Sequence, residues 1–264
     1  MRSSAVTLLL LVCLLSVSVS TVSCDVCNGD DWGTPGNFSF YVFQLSWPAE
    51  FCYSHSSYPG CENPTAWQQT NLTIHGLWPN YNVAQSGHYW PQCCTSQYGT
   101  NLTNAEMNPI LIELQLVWPS EQDPDPSGDW SNSLWAHEWA KHGTCAGPKP
   151  TQYFQSAMNI MTMPYMDTPS VLTSNIGGTF SLSALQSYYT GGAPCTSGQP
   201  CLVGTQCTGS SGNEFLDGIT TCWDLNFKQI SCPAKVIVGK TDCVGPTINL
   251  DSFSSKRKPQ LFKE

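Results

Sequence analysis

The chain has 264 residues, with 10 Lys and Arg against 19 Asp and Glu, a formal net charge of -9, a pI near 4.8 and only 11% charged residues. That balance excludes the usual basic nucleic-acid-binding surface, because long-range repulsion slows the approach of a polyanion. The conflict eases where carboxylates protonate and histidines charge, so the composition predicts an acid optimum for any work on such a substrate.

The chain opens on Arg2, an apolar block from Val6 to Leu15 and small residues from Ser16 to Ser23. This reads as a secretory signal peptide over residues 1–23, with cleavage after Ser20 or Ser23. No later stretch approaches 18 apolar residues, so the mature protein is expected to be soluble, with no membrane segment. Of 14 cysteines Cys13 leaves with the leader, and the 13 that remain enter an oxidising compartment where most should be paired. The sequons at Asn37, Asn71 and Asn101 agree with the same route.

Phe38 to Trp47 alternates aromatic and apolar residues as a strand does, and Asn71 to Leu77 reads as a second strand carrying His75 near its end. Thr103 to Val117 has apolar residues at helical spacing and stops at Trp118-Pro119. The Pro- and Gly-bearing stretch Asp123 to Asp129 is a loop, and Ser131 or Ser133 caps the helix after it. Phe154 to Met163 reads as a further helix and Thr221 to Ile230 as a strand. Separated helices and strands over roughly 240 mature residues predict a single α+β domain, residues 24–253, followed by a frayed basic tail over 254–264.

On the helix after the loop, at about 100° per residue, His137, Lys141, Glu138 and His142 fall at about 0°, 40°, 100° and 140°. Two imidazoles, an ammonium and a carboxylate thus share one side, a costly arrangement for a merely structural face. A histidine pair, one neutral and one charged, can remove a proton and return it, and His75 supplies the opposite partner if its strand lies against this helix. Zinc is disfavoured, because His137 and His142 are five residues apart whereas zinc ligands on a helix need four. No G-x-S-x-G occurs, and His55 and His88 read as surface residues in Ser-, Tyr- and Gly-rich loops.

The segments TIHGLWP, residues 73–79, and HEWAKHGTC, residues 137–145, resemble the two active-site signatures of the ribonuclease T2 family, secreted acid endoribonucleases, and the likeness runs more loosely from about Phe38 to Cys243. The resemblance implies a central antiparallel sheet packed against several helices and stabilised by disulfides. It implies His75 and His142 as the acid-base pair, Glu138 and Lys141 as stabilisers of the transition state, and His137 as the phosphate holder. The substrate would be single-stranded RNA, cut through its own 2′-OH to a 2′,3′-cyclic phosphate and then a 3′-phosphate. No metal or cofactor is then needed, and DNA, which lacks that hydroxyl, should not be cut.

Trp78 would stack on a base, with Asn80 standing where the family carries an acidic residue, a departure that leaves base preference open. Gln44 would line a second base site, while Trp135 and Trp139 pack in the core. The resemblance pairs Cys52 with Cys61, Cys93 or Cys94 with Cys145, Cys207 with Cys243 and Cys222 with Cys232. A monomer, secreted or delivered to a lysosomal or vacuolar lumen, is the accompanying expectation. The rival reading is a catalytically silent storage, defence or recognition protein on the same fold, which would be expected to lose one of the four catalytic residues.

Overall fold

A computed structural model describes residue 27 and residues 31–191, 195, 200–237 and 243–254. The leader with its cleavage points, Cys24 and residues 255–264 of the tail lie outside these described residues.

Seven strands share one sheet: β1 (Phe40–Ser46), β2 (Thr73–Asn80), β3 (Thr179–Ser181), β4 (Gly204–Ser210), β5 (Asn213–Trp223), β6 (Gln229–Ile230) and β7 (Thr247–Asn249). Their order is β2-β1-β5-β7-β3, and β4 and β6 also pair with β5. The pairings are antiparallel except at Phe215 and Asn249, where β7 runs parallel to β5, so the sheet is mixed at that one contact. With the helices grouped apart from the strands in sequence, the class is α+β.

Strand β1 is buried along both faces, and its period of two divides the interior. Tyr41, Phe43 and Leu45 enter the main core with Ile74, Leu77, Trp118, Trp135, Trp139 and Phe154. Phe40 and Val42 point the other way, into a small cluster with Cys222 and Cys232 on which Trp78 and Val236 rest. Trp135 and Trp139 are thus core residues, as the sequence reading expects.

Two expected elements are interrupted. The helix read over Thr103 to Val117 is Asn104–Met107, a 3-10 turn Asn108–Ile110 and Leu111–Val117, because Pro109 cannot supply the N–H a continuous helix needs. Thr103 and Glu106 close its start as a capping box. The strand read over Thr221 to Ile230 is the end of β5, a turn and β6. Asp224 makes that turn by accepting from Asn226 N–H at 2.8 Å and Lys228 N–H at 2.9 Å.

Six disulfides join described residues: Cys27–Cys93, Cys52–Cys61, Cys94–Cys145, Cys195–Cys201, Cys207–Cys243 and Cys222–Cys232. Cys94 is the partner of Cys145, while Cys93 takes Cys27, so the adjacent pair pins the end of the signature helix and the N-terminal segment together. No described helix is long and apolar enough to cross a membrane.

Candidate active site

The register of β1 on β2 slips beside His75. Gln44 lies opposite Gly76 and Leu45 opposite Ile74, which leaves His75 as the extra residue of a β-bulge. A bulge re-aims its side chain, and here it turns His75 out of the two-sided burial that its neighbours share. The displaced carbonyl of His75 accepts from Trp118 Nε1 at 3.0 Å, and its ring Nδ1 lies 3.2 Å from Ser46 Oγ.

The helix facing β2 is not a plain α-helix. Ser133 caps it by accepting from Ala136 N–H at 3.2 Å; after the turns Leu134–Glu138 the chain widens into a π-helix over Trp139–Gly143, where Thr144 N–H reaches back to Trp139 O. Such π turns are rare and cluster at functional sites. Two carbonyls of the wide turn find other partners, Ala140 O in Thr144 Oγ1 at 2.9 Å and Lys141 O in Cys93 N–H, from a distant loop, at 2.8 Å. Because the wide turn bonds residues five apart, the wheel drawn at 100° per residue does not hold beyond Glu138.

Trp78 ties the two signatures together. Its Nε1 donates to Glu138 Oε2 at 2.9 Å, and its ring lies 5.6 Å from the His75 ring and 5.5 Å from the His142 ring, centroid to centroid. The hydroxyl of Tyr153, on the helix Pro150–Met161, donates to Leu77 O at 2.9 Å and reaches the same Glu138 oxygen at 3.4 Å. His75, Trp78, Asn80, His137, Glu138, Lys141 and His142 line one cavity of about 540 Å³. His75 and His137 also line a second cavity of about 290 Å³, bordered by Ser46, Phe51, His55, Tyr58 and Glu121.

Burial dominates the electrostatics. It pushes the Glu138 carboxyl up to about 8, against the lowering effect of Trp78, Lys141 and Tyr153. Burial, then Lys141, pushes His137 down to about 4. His142 is held well below the ordinary histidine range by burial and then by the charges of Lys141, His137 and His75, and its buried Nδ1 makes no hydrogen bond with any described residue. At neutral pH the site therefore holds a protonated carboxyl and an uncharged His142. Among the described residues, three potential metal-ligand atoms come together at Cys27, Asp31 and Cys93, but both sulfurs there are bonded to each other.

Residues 38–232 match the model of the Ribonuclease T2 family. The chain belongs to that family. The intracellular ribonuclease LX of Solanum lycopersicum is 30% identical over 227 residues, which is 84% of this chain and 87% of that one. Ribonuclease 3 of Arabidopsis thaliana is 34% identical over 128 residues, 47% of this chain and 52% of its own. The crystal structure of RNase NT in complex with 5′-AMP superposes with a TM-score of 0.56 at 25% identity, covering 82% of this chain and 99% of that one. This T2 ribonuclease is thus an endoribonuclease with RNA as its substrate.

Gln44, read from the sequence as lining a second base site, is held within the sheet of this T2 ribonuclease. Gln44 lines neither cavity: it is buried in the sheet, where its Nε2 donates to Leu45 O and Gln206 and its Oε1 accepts from Thr220 Oγ1 at 2.5 Å. Ser46, two positions on along the same face of β1, is the residue of this strand that reaches His75. His55, half-exposed, stacks on Phe51 at 4.2 Å and borders the second cavity. Sequence reasoning missed Tyr153, Tyr89, Trp90 and Lys235 altogether. Only Tyr153 left a signal, as a polar-tipped aromatic at the edge of a helical pattern. The sequons Asn37 and Asn101 are exposed and Asn71 is half-buried.

Gly76 is fixed by this packing. A Cβ there would fall closer than 3.0 Å to both Trp78 Nε1 and Glu138 Oε2, so Gly76→Ala must break the Trp78–Glu138 bond. We expect kcat/KM on RNA to fall about tenfold or more and stability to drop by about 1–3 kcal/mol, the usual range for overpacking, as read by kinetics and thermal melts. Unchanged kinetics would show that the indole does not position the carboxyl.

Proposed function

We propose that this ribonuclease cleaves single-stranded RNA without a metal, by attack of the ribose 2′-OH on the adjacent phosphorus. The observation that carries the proposal is the placing of His75 and His142 beside the same Trp78 ring, with Glu138 bonded to that ring's nitrogen. The division of roles follows from surroundings. An imidazole that is buried, with no acceptor for Nδ1 and depressed basicity, stays neutral, so His142 is the base that takes the 2′-OH proton. His75, half-exposed and beside the Ser46 hydroxyl, carries the proton that goes to the departing 5′-oxygen.

Bond by bond, the 2′-oxygen joins phosphorus as its proton passes to His142, and the bond from phosphorus to the 5′-oxygen breaks as that oxygen takes the proton of His75. The products are a 2′,3′-cyclic phosphate and a free 5′-hydroxyl. Water then opens the cyclic ester with the two histidines in exchanged roles, giving a 3′-phosphate. Lys141 supplies a fixed positive charge to the phosphorane oxygens, and a protonated Glu138 donates to them rather than repelling them. His137, which borders both cavities, gains charge when an anion arrives and holds the phosphate.

The larger cavity, with the exposed faces of Tyr89 and Trp90 beside Trp78, suits a stacked base on one side of the scissile phosphate, and the smaller suits the nucleotide on the other. An acid optimum is supported by the net charge of -9, by His137, which gains its charge only as pH falls, and by the low basicity of His142, which keeps the base neutral into the acid range. The secretory reading of the leader and glycosylation at Asn37, Asn71 and Asn101 complete the proposal.

The test is incubation with single-stranded RNA in EDTA near pH 5, with end-group analysis by mass spectrometry. Cyclic phosphate termini that later become 3′-phosphates are expected, with no cut on the 3′ side of a single 2′-deoxy nucleotide. Cleavage at that deoxy position would defeat the mechanism.

A further inference from the structure

The larger cavity carries a second cation that the mechanism does not use. Lys235 lies on the short helix Ala234–Ile237, and both it and Val236 line the cavity together with His75, Trp78, Asn80 and Lys141. Its ammonium donates to Tyr81 O and sits 4.4 Å from the centre of the Tyr89 ring and 5.9 Å from that of Phe40. The helix is anchored by the nearby Cys232, bridged to Cys222 on β5, while Val236 packs on the same small cluster as Trp78. In a chain with only 10 Lys and Arg, a cation tied down in this way beside a substrate cavity calls for an anionic or acceptor-rich ligand.

Its place along β2 decides which. Phe40, over which Lys235 reaches, pairs with Asn80, whereas His75 lies five residues back along the same strand, roughly 16 Å away at strand rise. Lys235 therefore stands at the base end of the cavity, not at the scissile phosphate. Asn80 Nδ2 is engaged by Trp78 O at 3.1 Å, which leaves its Oδ1 turned to other donors. A lysine ammonium is a favoured partner for the paired acceptors O6 and N7 of guanine, and a carboxamide oxygen can accept from the guanine N1–H. Adenine would present its N6 amino donor to the ammonium instead.

We propose that Lys235, with Asn80, selects guanine over adenine in the cavity that holds Trp78. The inference rests on the ribonuclease mechanism above for the placing of the substrate, but it is tested separately from catalysis. The first measurement is binding of 5′-GMP and 5′-AMP followed by tryptophan fluorescence; the second is the ratio of kcat/KM for GpU to that for ApU. Wild type should favour guanine in both, and Lys235→Met should lower both preferences by roughly tenfold or more, the discrimination that one bidentate contact provides. Lys235→Arg, which keeps the charge and the donors, should restore most of the preference.

Equal losses on GpU and ApU in Lys235→Met would overturn the proposal, since a lysine that serves a phosphate or only the fold would act on both alike. An unchanged ratio would overturn it too. Guanine-selective binding without any cleavage would refute the ribonuclease mechanism and leave Lys235 standing. Cleavage without a guanine preference would do the reverse.

Discussion

His142→Ala should lower kcat/KM on RNA by about 10²–10⁴, the range that one acid-base group contributes, and His75→Ala by a similar factor. The two losses should differ in kind. If His75 protonates the leaving 5′-oxygen, a substrate with a good leaving group, such as a uridine 3′-aryl phosphate, needs no such proton. His75→Ala should then recover most of its rate on the aryl ester. His142→Ala should stay slow on both substrates, because the 2′-OH must still lose its proton. Recovery by His142→Ala instead would reverse the assignment, and recovery by neither would point to a role in holding the phosphate.

The same pair shows how far the sequence could be read. Both histidines were legible because TIHGLWP and HEWAKHGTC put rare, reactive residues in compact strings, and because apolar neighbours such as Ile74 and Leu77 announce a strand. What periodicity did not show is how each is aimed. His75 owes its direction to a bulge, which depends on where β1 and β2 slip, a property of two strands and not of either alone. His142 owes its place to a π turn stabilised by Thr144 and by the Cys93 N–H from a distant loop.

The contacts of Gln44 were hidden for the same reason, since β1 alone cannot foresee that Thr220 on β5 and Gln206 on β4 take up its carboxamide. Lys235 was illegible because nothing in its own short segment, Ala234–Ile237, marks it as reaching the chain beyond the end of β2, where its ammonium meets Tyr81 O. Composition was more informative than its simplicity suggests. The sparse charge leaves few cations, so each one that borders the cleft carries weight.

Glu138→Gln should separate two ways in which the carboxyl could act. Burial raises Glu138 from 4.5 to about 8 in the folded protein, while in the unfolded chain it keeps its ordinary value. The folded state therefore holds a proton that the unfolded state has lost, and its stabilising effect is complete below about 4.5 and fades as pH rises through about 8. Glutamine has no proton to lose. Relative to wild type, Glu138→Gln should gain stability steadily from pH 4.5 to 8, by on the order of 4–5 kcal/mol in full, at about 1.4 kcal/mol per unit. Denaturant melts of the two proteins at pH 5, 7 and 8.5 read that difference directly, with the depressed histidines contributing equally to both.

Catalysis supplies the second arm. A protonated Glu138 acts on the phosphorane as a donor, and the glutamine amide can donate from the same place while its oxygen keeps the bonds from Trp78 and Tyr153. Glu138→Gln should then retain much of the activity at pH 5 and lose the fall in rate that deprotonation near pH 8 imposes on wild type, whereas Glu138→Ala should lose about 10²-fold or more. If glutamine proves as damaging as alanine at pH 5, the carboxyl works as an anion, and its part is to stabilise the charged form of His142.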